Sequence, residues 1–302
     1  MMPVANKAEE ERVAARIPWV AIAWFAALLI ASYLPVLIRL VQQWENDEDM
    51  GHGFFVPVLA AYIAWQKRNE LLAAPVAPNW LGLLLVLWGA LQLTIATLGA
   101  ELFLARTAFV ISIIGSVLLL GGMPVVRILA LPLFLLFFMV PIPAIIYNQI
   151  TFPLQLLASR VAETVLLVLG IPVLREGNVL EMANQRLSVV EACSGIRSLL
   201  SLTFLSLVYG YFFEKRASIR VALFFAVIPI AIVANASRVT LTGILTQYKP
   251  ELAEGFFHTA SGWVIFMVAL FIMVFVHQAI TRFYQLFKYV RSEEFRAQRP
   301  AE

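Results

Sequence analysis

Residues 219–244 read IRVALFFAVIPIAIVANASRVTLTGI. An apolar run of about 20 residues is long enough to cross the hydrocarbon core of a bilayer as a helix, the conformation in which a segment satisfies its own backbone polar groups. Asn235 and Arg238 interrupt the run near one end. Three positions apart, they share a helix face, so the stretch predicts a spanning helix with one polar face turned into a bundle.

The same pattern recurs along the chain. Further apolar runs occupy roughly 17–41, 51–66, 80–99, 102–122, 128–147, 193–213 and 262–280. Of the 302 residues, 61% are hydrophobic and 14% charged, against about 45–50% and about 25% in soluble domains. This composition excludes an ordinary soluble enzyme. The run from Ile17 to Val41 exceeds the short apolar region of a cleaved signal peptide and is taken as a retained first helix. The stretch 152–174 carries Arg160 and Glu163 near its middle, a costly placement at the bilayer centre, and is expected to lie in the interface or re-enter one leaflet. Pro132, Pro141 and Pro143 predict a kinked or unwound outer end for 128–147. The expected fold is an all-α polytopic transmembrane bundle of about eight spans, with one interfacial or re-entrant helix. It forms a single domain over 1–302, its core at about 17–280 and a short cytoplasmic tail at 281–302. Residues 175–192 alternate polar and apolar side chains around Gly177 and Asn178 and predict a small outer hairpin that could hold an extended peptide by edge pairing.

Charge orients the bundle. With the N-terminus in the cytoplasm and eight spans, the cytoplasmic segments hold 14 of the 22 Lys and Arg but 8 of the 19 Asp and Glu, as the positive-inside rule requires. Both termini are then cytoplasmic. Cys193 falls at the outer start of the sixth span, Asn235 and Arg238 at the outer end of the seventh, and His258 in the outer connection before the eighth.

Cys193 is the chain's one cysteine, so neither an intrachain disulfide nor a cysteine zinc cluster can form. His52, His258 and His277 are far apart and show no metal-ligand spacing. No metal, cofactor or nucleic acid is expected. A lone cysteine reads equally as a small buried hydrophobe or as a nucleophile. In Glu191-Ala192-Cys193-Ser194-Gly195-Ile196-Arg197-Ser198, a helix start and Arg197 one turn on favour the thiolate. Arg238 reads as a residue snorkelling to headgroups or, beside Asn235, as a donor to a developing oxyanion. His258, in Phe256-Phe257-His258-Thr259-Ala260-Ser261-Gly262-Trp263, reads as an interfacial side chain or as the acid–base partner a thiol nucleophile needs. A solute transporter, a membrane acyltransferase in exopolysaccharide assembly and a non-catalytic assembly protein are the competing classes.

These three blocks, taken in order, resemble the exosortase/archaeosortase family, and Gly51-His52-Gly53-Phe54-Phe55-Val56-Pro57 resembles its N-terminal signature. The resemblance covers about His52 to Ile280. It implies a multi-pass inner-membrane cysteine protease or transpeptidase. Its expected partners are membrane lipids and exported proteins that bear a C-terminal sorting signal: a Pro-Glu-Pro motif, a transmembrane helix and a basic tail. It implies Cys193 as nucleophile with Arg238 and His258 as catalytic partners. His52, Ser194, Arg197 and Asn235 take supporting or substrate-binding places. No residue distinguishes water from an amine or a glycan-linked acceptor.

Overall fold

The computed structural model describes residues 19–182, 186–189, 195–248 and 255–297. The chain divides into two compact units, Met1–Pro143 and Ala144–Glu302.

The first unit begins with α1 (Trp19–Asn46) and a 3-10 segment (Glu48–Phe54), followed by α2 (Phe55–Gln66) and α3 (Arg68–Ala73). Then come α4 (Leu81–Leu98), α5 (Leu102–Ile128), α6 (Ala130–Leu135) and a 3-10 turn (Leu136–Met139). With hydrocarbon outside and inside alike, spanning helices associate through close approach rather than through expulsion of water. Small residues provide that approach here. Gly82 and Gly89 of α4 lie against the backbone and Ser112 of α5, and Gly115 of α5 lies against Gly82 and Val86, so a side chain at any of these positions would meet backbone or the serine. Tyr33 ties α1 to this seam: its hydroxyl donates to the Gly89 carbonyl at 3.2 Å and shares a 2.9 Å hydrogen bond with Ser112 Oγ. α5 is kinked at Gly122, whose φ of +76° lets the chain pass beside the Ala77 carbonyl. Trp44 Nε1 donates to the Met139 carbonyl at 2.9 Å and anchors the turn that follows α6.

The expected fifth span is not one helix. Residues 140–143 leave the helical conformation, because Pro141 and Pro143 lack the amide donor and force the residue before each into extended backbone. The run 51–66 forms only the 12-residue α2, preceded by a 3-10 segment.

The second unit holds α7 (Ala144–Val168), strands β1 (Val173–Glu176), β2 (Val179–Met182) and β3 (Arg186–Ser188), and helices α8 (Gly195–Phe213), α9 (Ala217–Tyr248) and α10 (Gly255–Ala297). Where an interfacial or re-entrant segment was expected at 152–174, α7 is a 25-residue helix long and apolar enough to cross a membrane. Four of its polar residues, Thr151, Gln155, Ser159 and Glu163, recur every fourth position and so form one stripe. The first three are buried, and the last three face the sheet. Arg175 Nε bonds Glu163 at 2.9 Å, Ser159 Oγ donates to the Gly177 carbonyl at 3.0 Å, and Asn178 Nδ2 donates to Gln155 Oε1 at 3.0 Å. The expected hairpin is present, with Gly177 at φ +63° opening its two-residue turn. A third strand extends it to the order β1-β2-β3.

Contacts fix the helix directions in this unit. Leu154 lies beside Ile228 to Asn235, and Leu166 lies against Gly243, so α7 and α9 run parallel. Leu199 lines a small cavity with Asn235 while Gly210 lies against Arg220 and Leu223, so α8 runs antiparallel to α9. Arg238 meets Gly262, while Ala269 and Met273 share a core with Leu223 and Val227, so α10 is antiparallel to α9 as well.

Among the described residues, six helices are long and apolar enough to span: α1, α4, α5, α7, α9 and residues 262–286 of α10. The chain is a polytopic membrane bundle of helices with one small sheet. Replacing Gly82 or Gly115 by valine overfills the α4–α5 seam at a cost of about 1–3 kcal/mol. Each variant is expected to unfold at lower temperature in detergent than the wild type. Gly51→Ala, with open space around it, is expected to match the wild type.

Candidate functional site

One end of the second unit holds Asn235 and Arg238 together with the start of the helix that carries His258. The C-terminal part of α7, the sheet, the first turns of α8, the Asn235–Tyr248 part of α9 and the start of α10 all lie there, as the parallel and antiparallel contacts require. Ala236 and Val239 of α9 sit in one core with Ala158, Ala162 and Leu166 of α7 and Leu180 and Val189 of the sheet. That core fixes the rotation of α9 about its axis. Asn235 is 7% exposed and lines a small cavity with Leu154 and Leu199.

Arg238 is the centre of this end. Its guanidinium lies flat on α10 at Gly262: a Cβ built on that glycine would stand 3.0 Å from Nη2, 3.1 Å from Cζ and 3.4 Å from Nη1. His258 lies one turn before Gly262 on the same helix, and residues four apart share a helix face. The backbone therefore brings the positions of Arg238 and His258 to neighbouring turns. The arrangement offers a fixed cation and the positive end of α10, a setting that favours an anion or a developing negative charge on oxygen.

Cys193 and Ser194 lie outside the described residues, as does the side chain of Arg197; Gly195, two positions after Cys193, opens α8 at this same end. The His258 side chain is likewise outside the described set, although its helix is within it. His52 belongs to the first unit, half-buried in the 3-10 segment next to Gly53. Gly53 is held against the Trp44 indole with no room for a side chain. Among the described residues, no group of three or more His, Cys, Asp or Glu converges as a metal site would require.

Two features escaped the sequence reading. Gly262 was noted only as part of a motif, and its service as the seat of Arg238 needs the third dimension. The opposite end of the second unit holds a buried chain of polar groups. Tyr209 and His277 Nδ1 share a 3.0 Å hydrogen bond, and His277 Nε2 lies 3.2 Å from Glu214 Oε2. With Nε2–H donating to the carboxylate, Nδ1 is left to accept from the tyrosine. The Arg216 amide donates to Glu214 Oε1 at 2.8 Å, and Arg220 Nε donates to the Glu214 carbonyl at 2.6 Å. Glu214, His277 and Tyr209 thus lock the α8–α9 connection to α10. The only sequence signal for this lock is a glutamate that opens a basic connection, Glu214-Lys215-Arg216, opposite a histidine late in an apolar run.

A family model described as Transmembrane exosortase (Exosortase_EpsH) matches residues 44–275 of the chain. No curated protein and no solved structure matches it.

The Glu214 lock has a pH signature. The Arg216 amide, first, and then His277 and the Arg216 charge hold the Glu214 carboxyl below its ordinary pKa, against the opposing effect of burial. A lowered folded-state pKa contributes stability that is fully present above the usual carboxylate range and is lost as pH falls through the lowered value. Thermal unfolding in detergent is expected to show Glu214→Gln less stable than wild type at neutral pH. The difference should shrink as pH drops below the carboxylate range.

Proposed function

The chain belongs to the transmembrane exosortase family, and from that premise we propose that it is a membrane-embedded cysteine peptidase or transpeptidase. It acts on the C-terminal sorting signal of exported proteins, a Pro-Glu-Pro motif followed by a transmembrane helix and a basic tail. The observation that carries this reading is the seating of the Arg238 guanidinium on Gly262, one helix turn from His258 and at the end of the unit where α8 begins.

The site faces the outer side of the inner membrane. The opposite end carries Lys215 and Arg216 in the α8–α9 connection and Arg220 in the first turn of α9, which the positive-inside rule assigns to the cytoplasm. With the eight crossings expected from the sequence, both termini are cytoplasmic. A substrate anchored by its own helix is confined to the bilayer plane, which raises its effective concentration at the site.

The Cys193 thiolate attacks the scissile carbonyl carbon. Arg238 donates to the oxyanion that forms, with Asn235 packed beside it on the same helix face. His258 protonates the leaving amine as the tetrahedral adduct collapses to a thioester, and then takes a proton from the acceptor that resolves the thioester. Water as acceptor gives hydrolysis; an amine or glycan-linked group gives transfer. Ser194 lets the substrate approach closely, and Arg197 adds positive charge that favours the thiolate.

Co-expression with a protein bearing such a signal, followed by the substrate's size on a gel and by mass, tests the reading. Cys193→Ala is expected to abolish processing at normal protein level. Arg238→Ala should lower the rate by about 10²–10³-fold and His258→Ala by about 10²–10⁴-fold. A covalent adduct of enzyme and substrate fragment should accumulate when the acceptor is withheld. Full processing by Cys193→Ala would instead favour the transporter or acyltransferase class.

Gly262→Ala supplies a second measurement. Its new methyl pushes the guanidinium by a few tenths of an ångström and leaves the helices in place. Since a displacement of about 1 Å can cost about 10²-fold, a loss of about tenfold in kcat with unchanged thermal stability is expected.

A further inference from the structure

Among the described residues, one edge of the sheet of the second unit carries no further strand. In β2–β3 the partners are Val179↔Ser188, Leu180↔Leu187 and Glu181↔Arg186. The Val189 amide donates to the Asn178 carbonyl at 3.0 Å. Antiparallel pairs alternate between hydrogen-bonded and non-hydrogen-bonded. Counting in twos from 178/189, Leu180 and Leu187 exchange hydrogen bonds, whereas Arg186 and Ser188 turn their N–H and C=O groups away from β2. Among the described residues, no hydrogen bond closes on those outward groups. The other edge differs: β1 lies along α7, to which Arg175 reaches through Glu163.

We propose that the outward edge of β3 takes the substrate polypeptide as a fourth, extended strand and so delivers the scissile bond toward Cys193; this rests on the peptidase reading above. Three features argue for it. First, the sheet behind the edge is tied to the helices. The Gly177 carbonyl accepts from Ser159 Oγ and from Arg175 Nη1, each at 3.0 Å, and Asn178 bonds Gln155. Leu180 and Val189 are fully buried against α7 and α9. An edge held this way loses little freedom when a strand is added. Second, unpaired backbone groups in a row are complementary to one chemical object, another extended backbone. Pairing through Arg186 and Ser188 requires no particular side chain of the guest. Third, β3 leads directly to the nucleophile, with Cys193 five positions after Ser188. A strand laid on β3 is therefore bound within five residues, along the chain, of the thiol. Arg186 is bound to Glu181 across the sheet at 2.5 Å, so its charge is engaged and the edge selects for backbone rather than for an acidic guest.

The test uses the full chain in detergent and a synthetic peptide that contains the cleavage site. Ser188→Pro removes one outward N–H and leaves the bonds between β2 and β3, a substitution edge strands tolerate where the lost donor faces outward. It is expected to raise KM about tenfold with kcat nearly unchanged and thermal stability preserved. N-methylation of the peptide, one residue at a time, leaves the enzyme untouched and is expected to weaken cleavage at alternate positions, with the period of two that a strand imposes. Wild-type KM for Ser188→Pro, or N-methylation that shows no alternation, overturns the edge proposal; if Cys193→Ala is inactive in the same assay, the peptidase reading stands. Cleavage of the peptide by Cys193→Ala overturns both.

Discussion

A helix that carries polar side chains through an apolar bundle must bring partners for them, and in the second unit that requirement organises everything else. Thr151, Gln155, Ser159 and Glu163 form a stripe along α7. Left facing hydrocarbon, Gln155 and Glu163 alone would make the helix unviable, since polar groups without partners there cost several kcal/mol each. Thr151 solves the problem locally, donating back to the Tyr147 carbonyl at 3.0 Å. The other three solve it through the sheet: Asn178, the Gly177 carbonyl and Arg175 meet them in turn. The sheet is thus the polar lining of a helix as much as an independent element. The adjacent face of α7, Ala158, Ala162 and Leu166, is left free to meet α9. One helix with two faces therefore sets the position of both the strand edge and the helix that carries Arg238.

The directions of the four helices make the second consequence unavoidable. Because α7 and α9 run parallel and α8 and α10 run against them, the end of α7 that leads into the sheet coincides with the start of α8, the polar part of α9 and the start of α10. The opposite end coincides with the Glu214–His277–Tyr209 lock. Each end has its own polar cluster, and the apolar core of Leu202, Leu223, Val227 and Met273 separates them. The lock ties the α8–α9 connection to α10 at the end away from Arg238. Helices held at that end have defined spacing along their length, which matters for an arginine whose seat on Gly262 leaves no slack.

The apolar runs were legible as helices because length and composition alone decide that question in a bilayer. The proline break after 128–139 and the hairpin around Gly177 and Asn178 were legible because proline and glycine act locally. The reading of 152–174 as interfacial or re-entrant left out one contact. Arg160 and Glu163 were counted as charges in a spanning segment, but a charge costs little where a partner meets it. Glu163 has Arg175, twelve positions away and on a strand. The spacing of four along 151, 155, 159 and 163 was present in the sequence and marks a polar face rather than a misplaced helix. The α4–α5 seam was hidden differently: Gly82 and Gly89 look like helix weaknesses until Gly115 and Ser112 are seen opposite them.

The candidate site was readable in its residue types and unreadable in its geometry. Asn235 and Arg238 announce a polar face by their spacing, but nothing in the sequence near Arg238 says which helix it leans on. Gly262 answers that, and the answer constrains the chemistry. A guanidinium packed on a glycine is positioned by backbone, so its place survives changes in neighbouring side chains. A lysine there would present a single mobile ammonium where the arginine presents a planar fork. The residue that permits the approach has no polar atom of its own in its side chain, and for that reason inspection of reactive groups alone passes over it. In a membrane bundle, where close approach is what holds helices together, a glycine opposite an arginine combines two roles: it brings two helices into contact and it fixes a charge between them.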